Sequence, residues 1–280
     1  ALTLRPQLAS RFTKGGKKVA FTLAEGATHV DTFHDIREPA FTLAEVLVTL
    51  GIIGIVAAMT IPMLAKNYQF YVRQQQFKKA YAALEIAVQK TQIDLGEGVK
   101  CNYFEGSAAG WNINQFSECA YFYQELAKNL NLIKTCNGNS LEDGCLPKDF
   151  RGGDKVYAEV QGGNDKVAAE KEFNNGCSGF SDTKVKNTST TFIVNSGFYF
   201  IPYNYTNYSA VYGGLFLLDV NGHKGPNKWG HDIFVFMLNK KSRLDSVFNV
   251  IPSFGCNPLD SGGYYTKHFV EYLYGRNAEL

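Results

Sequence analysis

The sequence lacks the residue patterns that most enzymes and nucleic-acid-binding proteins carry. No Ser/His/Asp or Cys/His set has a spacing that suggests nucleophilic catalysis. Residues 41–280 contain 22 basic and 22 acidic residues, so they have no excess of positive charge with which to neutralise a phosphate backbone. A tyrosine-rich run at residues 199–212 has no accompanying Lys or Arg and is interpreted as strand and hairpin surface. We therefore predict a protein that is not an enzyme and does not bind nucleic acid.

Charge is also missing from a long run near the N-terminus. Val46–Ala65 is 20 consecutive uncharged residues, which as a helix would measure about 30 Å, the thickness of a bilayer core. Glu45 stands directly before this run, and an acid in lipid is costly enough that we expect it to have a function. Residues 1–18 hold five basic residues and no acid, which predicts that the N-terminus stays in the cytoplasm.

No cysteine precedes the apolar run, and six follow it. An even number on one side of a membrane span predicts an oxidising compartment and up to three disulfides. Six cysteines allow 15 pairings. Short spacing favours Cys101–Cys119 and Cys136–Cys145, which would leave Cys177–Cys256. Zinc is the alternative, but there is no CxxC pair and the five histidines are scattered.

The pattern after the apolar run predicts an α+β globular head. Phe77, Tyr81, Leu84, Val88, Thr91 and Leu95 recur every three or four residues, which extends the helix from near Phe41 to Leu95 with one apolar seam. Residues 96–190 are predicted to be mostly loops, with one helix near Gln115–Leu132. Apolar runs at residues 190–201, 211–220 and 232–238 predict an antiparallel sheet, and residues 268–274 a final strand or short helix.

The run AFTLAEVLVTLGIIGIVAAMTIP, from Ala40 to Pro62, resembles the N-terminal methylation motif of type IV pilins and type II secretion pseudopilins. The resemblance implies that a membrane peptidase cuts between Ala40 and Phe41 and methylates the new amine. Ala40 stands where this family usually has Gly. A partial copy, Phe21–Glu25, is followed by Gly26 and a polar stretch, so it cannot insert in a membrane.

The resemblance also implies a pilin-like fold and a filament. The expected parts are a cytoplasmic leader that is removed (1–40), a transmembrane and assembly helix (41–65), an amphipathic continuation (66–95) and a periplasmic or extracellular head (96–280). The partners implied are the prepilin peptidase/methylase, other pilin or pseudopilin subunits, and a secretion or pilus assembly platform. The alternative is a membrane-anchored surface module, an adhesin or DNA-uptake receptor, that keeps residues 1–40.

Four positions are predicted to act in assembly. Glu45 would pair with the amine of a neighbouring subunit's Phe41, which relieves the cost of an unpaired acid in the membrane. Gly51 and Gly54 would let helices approach closely. Pro62 would bend the helix at the end of its apolar part.

A second motif, DVNGHKGPNKWGHD, joins two apolar runs. Asp219, Asn221 and Asp232 could supply oxygen ligands to Ca²⁺, and the pattern resembles a loop of pseudopilin-like heads, some of which bind Ca²⁺. The alternative needs no metal: Asn221-Gly222 and Gly225-Pro226 form turns, and Asp232 caps backbone groups.

Overall fold

The computed structural model describes residues 41–96, 100–101, 103–104, 118–204, 212–240, 249–252 and 256–275. The chain divides into two compact units, residues 1–56 and 57–280. The described part of the first unit is the start of a helix, and the second unit holds the sheet and the other helices. The predicted leader, Ala40 and the upstream Phe21–Glu25 copy lie outside the described residues, so cleavage there stays a prediction.

The first helix, α1, runs from Leu43 to Leu95 over 53 residues, about 80 Å of helix, and confirms the predicted long N-terminal element. Pro62 lies inside it, and the bend expected there stays a prediction. Gly96 follows the last helical residue with a φ of +75°. This left-handed conformation satisfies the last carbonyls of many helices and is easy only for glycine, which explains the end of α1.

One face of α1 packs on the sheet from Phe77 onward. The buried residues follow the predicted spacing of three and four: Phe77, Ala80, Tyr81, Leu84, Ala87, Val88 and Thr91. Leu95 packs against the same core and is partly buried. The Tyr81 hydroxyl also donates a hydrogen bond to the Val250 carbonyl at 2.8 Å. The predicted apolar seam is therefore confirmed as a packing surface against the protein's own head.

The sheet has seven strands among the described residues: β1 Tyr103–Phe104, β2 Leu132–Asn137, β3 Thr190–Val194, β4 Tyr199–Asn204, β5 Tyr212–Asp219, β6 Ile233–Lys240 and β7 Asn249–Pro252. Strands β2 to β6 are antiparallel neighbours, in the order β6-β5-β4-β3-β2, and β7 pairs antiparallel with β6. The antiparallel prediction needs one correction, because the two-residue β1 is parallel to β6. The run predicted at residues 190–201 is two strands joined by a turn at Gly197, whose φ is +94°.

The two faces of the sheet support separate cores. Phe200, Phe216, Phe234 and Phe236 lie with α1 and with α2, Cys119–Asn129, in one buried cluster. The alternate residues Ile201, Leu215, Leu217 and Val235 lie in a second cluster. The strand alternation thus buries both sides of the sheet, as period-two side chains allow.

The prediction that residues 96–190 are mostly loops is wrong for the part that covers the second face. This part contains α3 Gly153–Val160, α4 Lys166–Cys177 and α5 Asp182–Asn187. Their apolar residues Val156, Phe173 and Val185 belong to the second buried cluster. Residues 268–274, predicted to be a strand or a short helix, lie in α6, Thr266–Tyr274.

All three predicted disulfides are present: Cys101–Cys119, Cys136–Cys145 and Cys177–Cys256. The last closes the longest loop, with a sequence separation of 79 residues, and joins α4 to the segment before α6. Because every cysteine is paired, the zinc alternative is wrong for these residues.

Candidate functional site

The start of α1 is closed by a reciprocal pair of hydrogen bonds. Thr42 Oγ1 accepts from the backbone N–H of Glu45 at 3.2 Å, and Glu45 Oε2 accepts from the backbone N–H of Thr42 at 2.8 Å. The Thr42 hydroxyl donates to the same carboxylate oxygen at 2.9 Å. This is a capping box, in which Thr and Glu three residues apart satisfy each other's backbone groups. One oxygen of Glu45 therefore has hydrogen-bond partners within the chain, although no cation among the described residues neutralises its charge, and the predicted pairing with Phe41 of a neighbouring subunit stays a prediction.

The apolar part of α1 exposes almost every side chain. Phe41 is 84% exposed, and residues 41–69 are exposed throughout except for the half-buried Ala57. The best 18-residue window has a mean hydropathy of 2.3, so length and composition suffice to cross a bilayer. The large exposed apolar side chains include Leu47, Val48, Leu50, Ile52, Ile53, Ile55, Met59, Ile61, Met63 and Leu64. A continuous apolar surface of this size on one element marks a membrane or protein contact.

Gly51 and Gly54 lie on this exposed segment. An added Cβ at either position would meet no described atom within 4 Å. Packing inside the chain therefore does not require a glycine at these positions. Their small size serves a close approach only if another helix comes from outside.

The loop between β5 and β6 is organised by two buried aspartates. Asp219 Oδ1 accepts from the backbone N–H groups of Asn221 and Gly222, at 3.2 and 2.9 Å. Asp232 accepts from the backbone N–H groups of Asn227 and Lys228, at 2.8 and 2.7 Å. The bonds to Asp232 show the backbone capping that the metal-free alternative expected of it, and Asp219 makes similar bonds that were not predicted.

Asn221 and Asn227 close the loop from inside. Asn221 Nδ2 donates to the Gly225 carbonyl at 2.8 Å, and Asn227 Nδ2 donates to Asp149 Oδ1 at 2.8 Å. Gly222 has a φ of +62°, and a Cβ there would come within 2.7 Å of the Gly197 carbonyl oxygen, so only glycine fits. Neither Asn227 nor Asp149 was predicted to belong to this site. Asn227 lies inside the motif, whereas nothing in the sequence places Asp149 beside the loop.

Three buried oxygens of this loop accept no hydrogen bond: Asp219 Oδ2, Asn221 Oδ1 and Asn227 Oδ1. When Asp219 is ionised, all three are acceptors only, and carboxylate and amide oxygens are the ligands that Ca²⁺ prefers. No group of three His, Cys, Asp or Glu side chains in the described part of the chain could hold a metal ion by itself. A cation here would therefore need the amide oxygens as ligands in addition to Asp219 and Asp232. This set of four oxygen-bearing side chains fits calcium.

The electrostatics of the loop point the same way. Burial raises the pKa of Asp219 well above its usual range, and the nearby carboxylates of Asp232 and Asp149 raise that pKa further. Burial also raises the pKa of Asp232, against the lowering effect of the backbone N–H groups it accepts from. Two carboxyl groups that resist ionisation together are stabilised in their charged form by a divalent cation.

The tyrosine-rich run is not a stacking surface where it is described. Tyr199 and Tyr203 are buried in the second core cluster, which corrects the surface interpretation for these two residues. Tyr205 and Tyr208 lie outside the described residues.

Comparison with family models, with curated proteins and with solved structures finds no match for this chain.

Proposed function

We propose that this chain is the precursor of a filament-forming, pilin-like subunit of a type II secretion or type IV pilus system. The precursor is cut between Ala40 and Phe41, N-methylated, and assembled through α1. The observation that carries the proposal is the exposed apolar surface of residues 46–65, on a helix whose later turns pack into the head. Such a surface has a place in a bilayer and equally among copies of the same helix.

The residues at the start of α1 give a physical reason for assembly. The capping box gives one carboxylate oxygen of Glu45 hydrogen-bond partners, but no described residue compensates its negative charge. After cleavage, the amine of Phe41 in a neighbouring subunit supplies the opposite charge. Bringing the two together removes the cost of an isolated charge in lipid and sets the register between subunits. Gly51 and Gly54 leave room for the approach.

We infer that the head lies outside the cytoplasm. Six paired cysteines favour an oxidising compartment, and the basic N-terminal segment favours a cytoplasmic leader. The subunit would then be a single-pass inner-membrane protein before it joins the filament. Its partners are the peptidase/methylase, other subunits and the assembly platform.

Mass spectrometry of the mature N-terminus tests the proposal. The full precursor is co-expressed with a prepilin peptidase, and we expect loss of residues 1–40 and one methyl group on Phe41. The chain carries its own matched control, because the FTLAE copy at Phe21 lacks the following apolar run. A cut before Phe21, or a mature protein that keeps residues 1–40, would contradict the proposal, and the second result would favour a permanently anchored surface module.

We also propose that the β5–β6 loop binds one Ca²⁺ through Asp219, Asn221, Asn227 and Asp232. The three unpartnered oxygens support this second function. The cation would neutralise the buried carboxylates and fasten the ends of two central strands. Its test is the melting temperature of the protein with and without Ca²⁺.

A further inference from the structure

A cavity of about 280 Å³ lies between α1 and the loops that precede α6. Lys66, Phe70 and Arg73 of α1 form one side. His231, Tyr264 and Phe269 form the other. All of these residues belong to the second unit. The volume is near the lower end for small-molecule sites, about 300–1,000 Å³, and far above the roughly 30 Å³ of one water.

The cavity is positively charged, and its charge is not neutralised from within. Among the residues that the structure describes, no acidic side chain lines it. The side chains of Lys66 and Arg73 form no ion pair or hydrogen bond with any residue in the described ranges. By contrast, Arg151 pairs with both Glu159 and Asp260. Arg73 is half-buried, and a partly desolvated guanidinium without a partner favours a bound anion, above all a phosphate that it can contact through two N–H groups.

The position of the cavity next to the apolar run favours a lipid headgroup as the source of the phosphate. Lys66 is the first charged residue after Glu45 and directly follows the apolar run, whose last residues Met63 and Leu64 are 70% and 69% exposed. If that run spans a bilayer, Lys66 stands at the level of the headgroups.

Aromatic rings surround the same place. Phe70 lies 6.0 Å from the ring centre of Tyr264 and 5.9 Å from that of Tyr272, and both tyrosines are exposed. Tyr68 and Tyr71 are exposed on the neighbouring turns of α1. Tyrosines gather at membrane interfaces because the ring is apolar and the hydroxyl is polar. The cavity thus combines cations for a phosphate with rings for the glycerol and upper acyl chain.

We propose that this cavity binds the phosphate headgroup of an anionic phospholipid from the outer leaflet. The proposal rests on the membrane placement of α1 in the proposed function. Lys66 and Arg73 contact the phosphate, and Phe70, Tyr264 and Phe269 contact the glycerol end of the lipid. A bound lipid would hold the subunit at a fixed depth in the bilayer before it assembles.

Native mass spectrometry of the full chain in non-ionic detergent tests the proposal. The probes are dioleoyl phosphatidylglycerol, dioleoyl phosphatidylcholine, dioleoylglycerol and inorganic phosphate. We expect one retained phosphatidylglycerol, in clear preference to dioleoylglycerol. At the usual effect of a basic residue near a lipid surface, Lys66→Ala with Arg73→Ala should weaken retention about thirty-fold. The matched control is Lys79→Ala with Lys90→Ala, which removes two exposed lysines of the same helix and should change retention little.

Three outcomes would overturn the proposal. The control pair could reduce retention as much as the cavity pair, which would show general electrostatic attraction only. Inorganic phosphate could displace the lipid at equal concentration, which would assign the cavity to a soluble anion. A chain that stays in the membrane fraction of cells but retains no phosphatidylglycerol would also refute it. Absence of the wild-type chain from the membrane fraction would instead refute the proposed function, so the two failures are distinguishable. Melting curves of each variant check that the head remains folded.

Discussion

Replacing Asp219 with Asn tests the calcium site with little change to the turn. The Asn Oδ1 can still accept from the backbone N–H groups of Asn221 and Gly222, as Asp219 Oδ1 does. What the change removes is the negative charge and the free Oδ2, which has no hydrogen-bond partner. The turn is retained while a cation loses one of its ligands.

The structure gives the size of the expected effect. A buried acceptor without a donor costs about 1–3 kcal/mol, so the three unpartnered oxygens together cost about 3–9 kcal/mol. A cation that satisfies them can recover energy of this order. At a free Ca²⁺ concentration 100-fold above Kd the gain in unfolding free energy is about 2.7 kcal/mol. For a domain of this size that is a rise in Tm of about 5–11 °C.

The assay is differential scanning calorimetry of the full chain in detergent, with Ca²⁺, with Mg²⁺ and with a chelator. We expect Ca²⁺ to raise the Tm of the wild type, Mg²⁺ to have a much smaller effect, and Asp219→Asn to abolish the rise. Burial raises the pKa of Asp219 and of Asp232. The stability these carboxyls contribute without a cation is therefore present at low pH and is lost as pH rises through their folded pKa values. The gain from Ca²⁺ should accordingly be largest near pH 7 and shrink towards pH 4, where protons compete with the metal.

The control is Asp165→Asn. Asp165 caps α4 by accepting from the backbone N–H of Ala168 at 2.9 Å, and Asn is an equally good cap. This variant should keep the full response to Ca²⁺. An unchanged wild-type Tm in Ca²⁺, or an equal response from Asp219→Asn, would refute the calcium argument and leave the loop as turns alone.

Two further predictions concern the ends of the proposed subunit. Glu45→Gln keeps a side-chain oxygen that can accept from the Thr42 N–H but loses the charge, whereas Glu45→Ala loses both. Electron microscopy of cells should show impaired filaments for both variants; normal filaments from Glu45→Gln alone would mean that the cap matters and the charge does not. Replacing Cys177 and Cys256 with Ser should lower the free energy of unfolding by about 4.5 kcal/mol in urea titrations, because their loop spans 79 residues. Replacing Cys136 and Cys145, which are nine residues apart, with Ser should lower the free energy of unfolding by about 2.6 kcal/mol. Equal losses of unfolding free energy for the two disulfides would contradict the loop-entropy reasoning.

Short-range patterns predicted the elements whose stability comes from local periodicity. Apolar residues from Phe77 to Thr91 recur at helical spacing for about four turns, and this stretch is part of the observed helix Leu43–Leu95. The runs predicted at residues 211–220 and 232–238 correspond to β5, Tyr212–Asp219, and β6, Ile233–Lys240. The capping box was equally predictable, because Thr42 and Glu45 have the required spacing of three residues. The prediction for Glu45 instead concerned only its charge.

The helices α3, α4 and α5 were not predictable in the same way. They are 8, 12 and 6 residues long and contain Gly and Asn, so their local preference for helix is weak. They form because Val156, Phe173 and Val185 cover the second face of the sheet. That apolar face exists only once β4, β5 and β6 have paired. No pattern within residues 153–187 therefore predicts that these residues will pack against it.

The sequence by itself determined the long helix, its membrane-length apolar surface, the central strands and the two short-range disulfides, because each depends on residues that are close along the chain. The third disulfide, Cys177–Cys256, followed only as the pair that the other two leave. The tertiary structure alone decided which oxygens of the β5–β6 loop were left without donors. It also decided that Lys66 and Arg73 share a cavity with His231 and Tyr264, about 160 or more residues away. Both features depend on how the strands and loops come together in three dimensions, and no spacing pattern in the sequence predicts which of these residues become neighbours. The candidate sites of this protein are therefore properties of its packing, whereas its long apolar helix is a property of its local sequence.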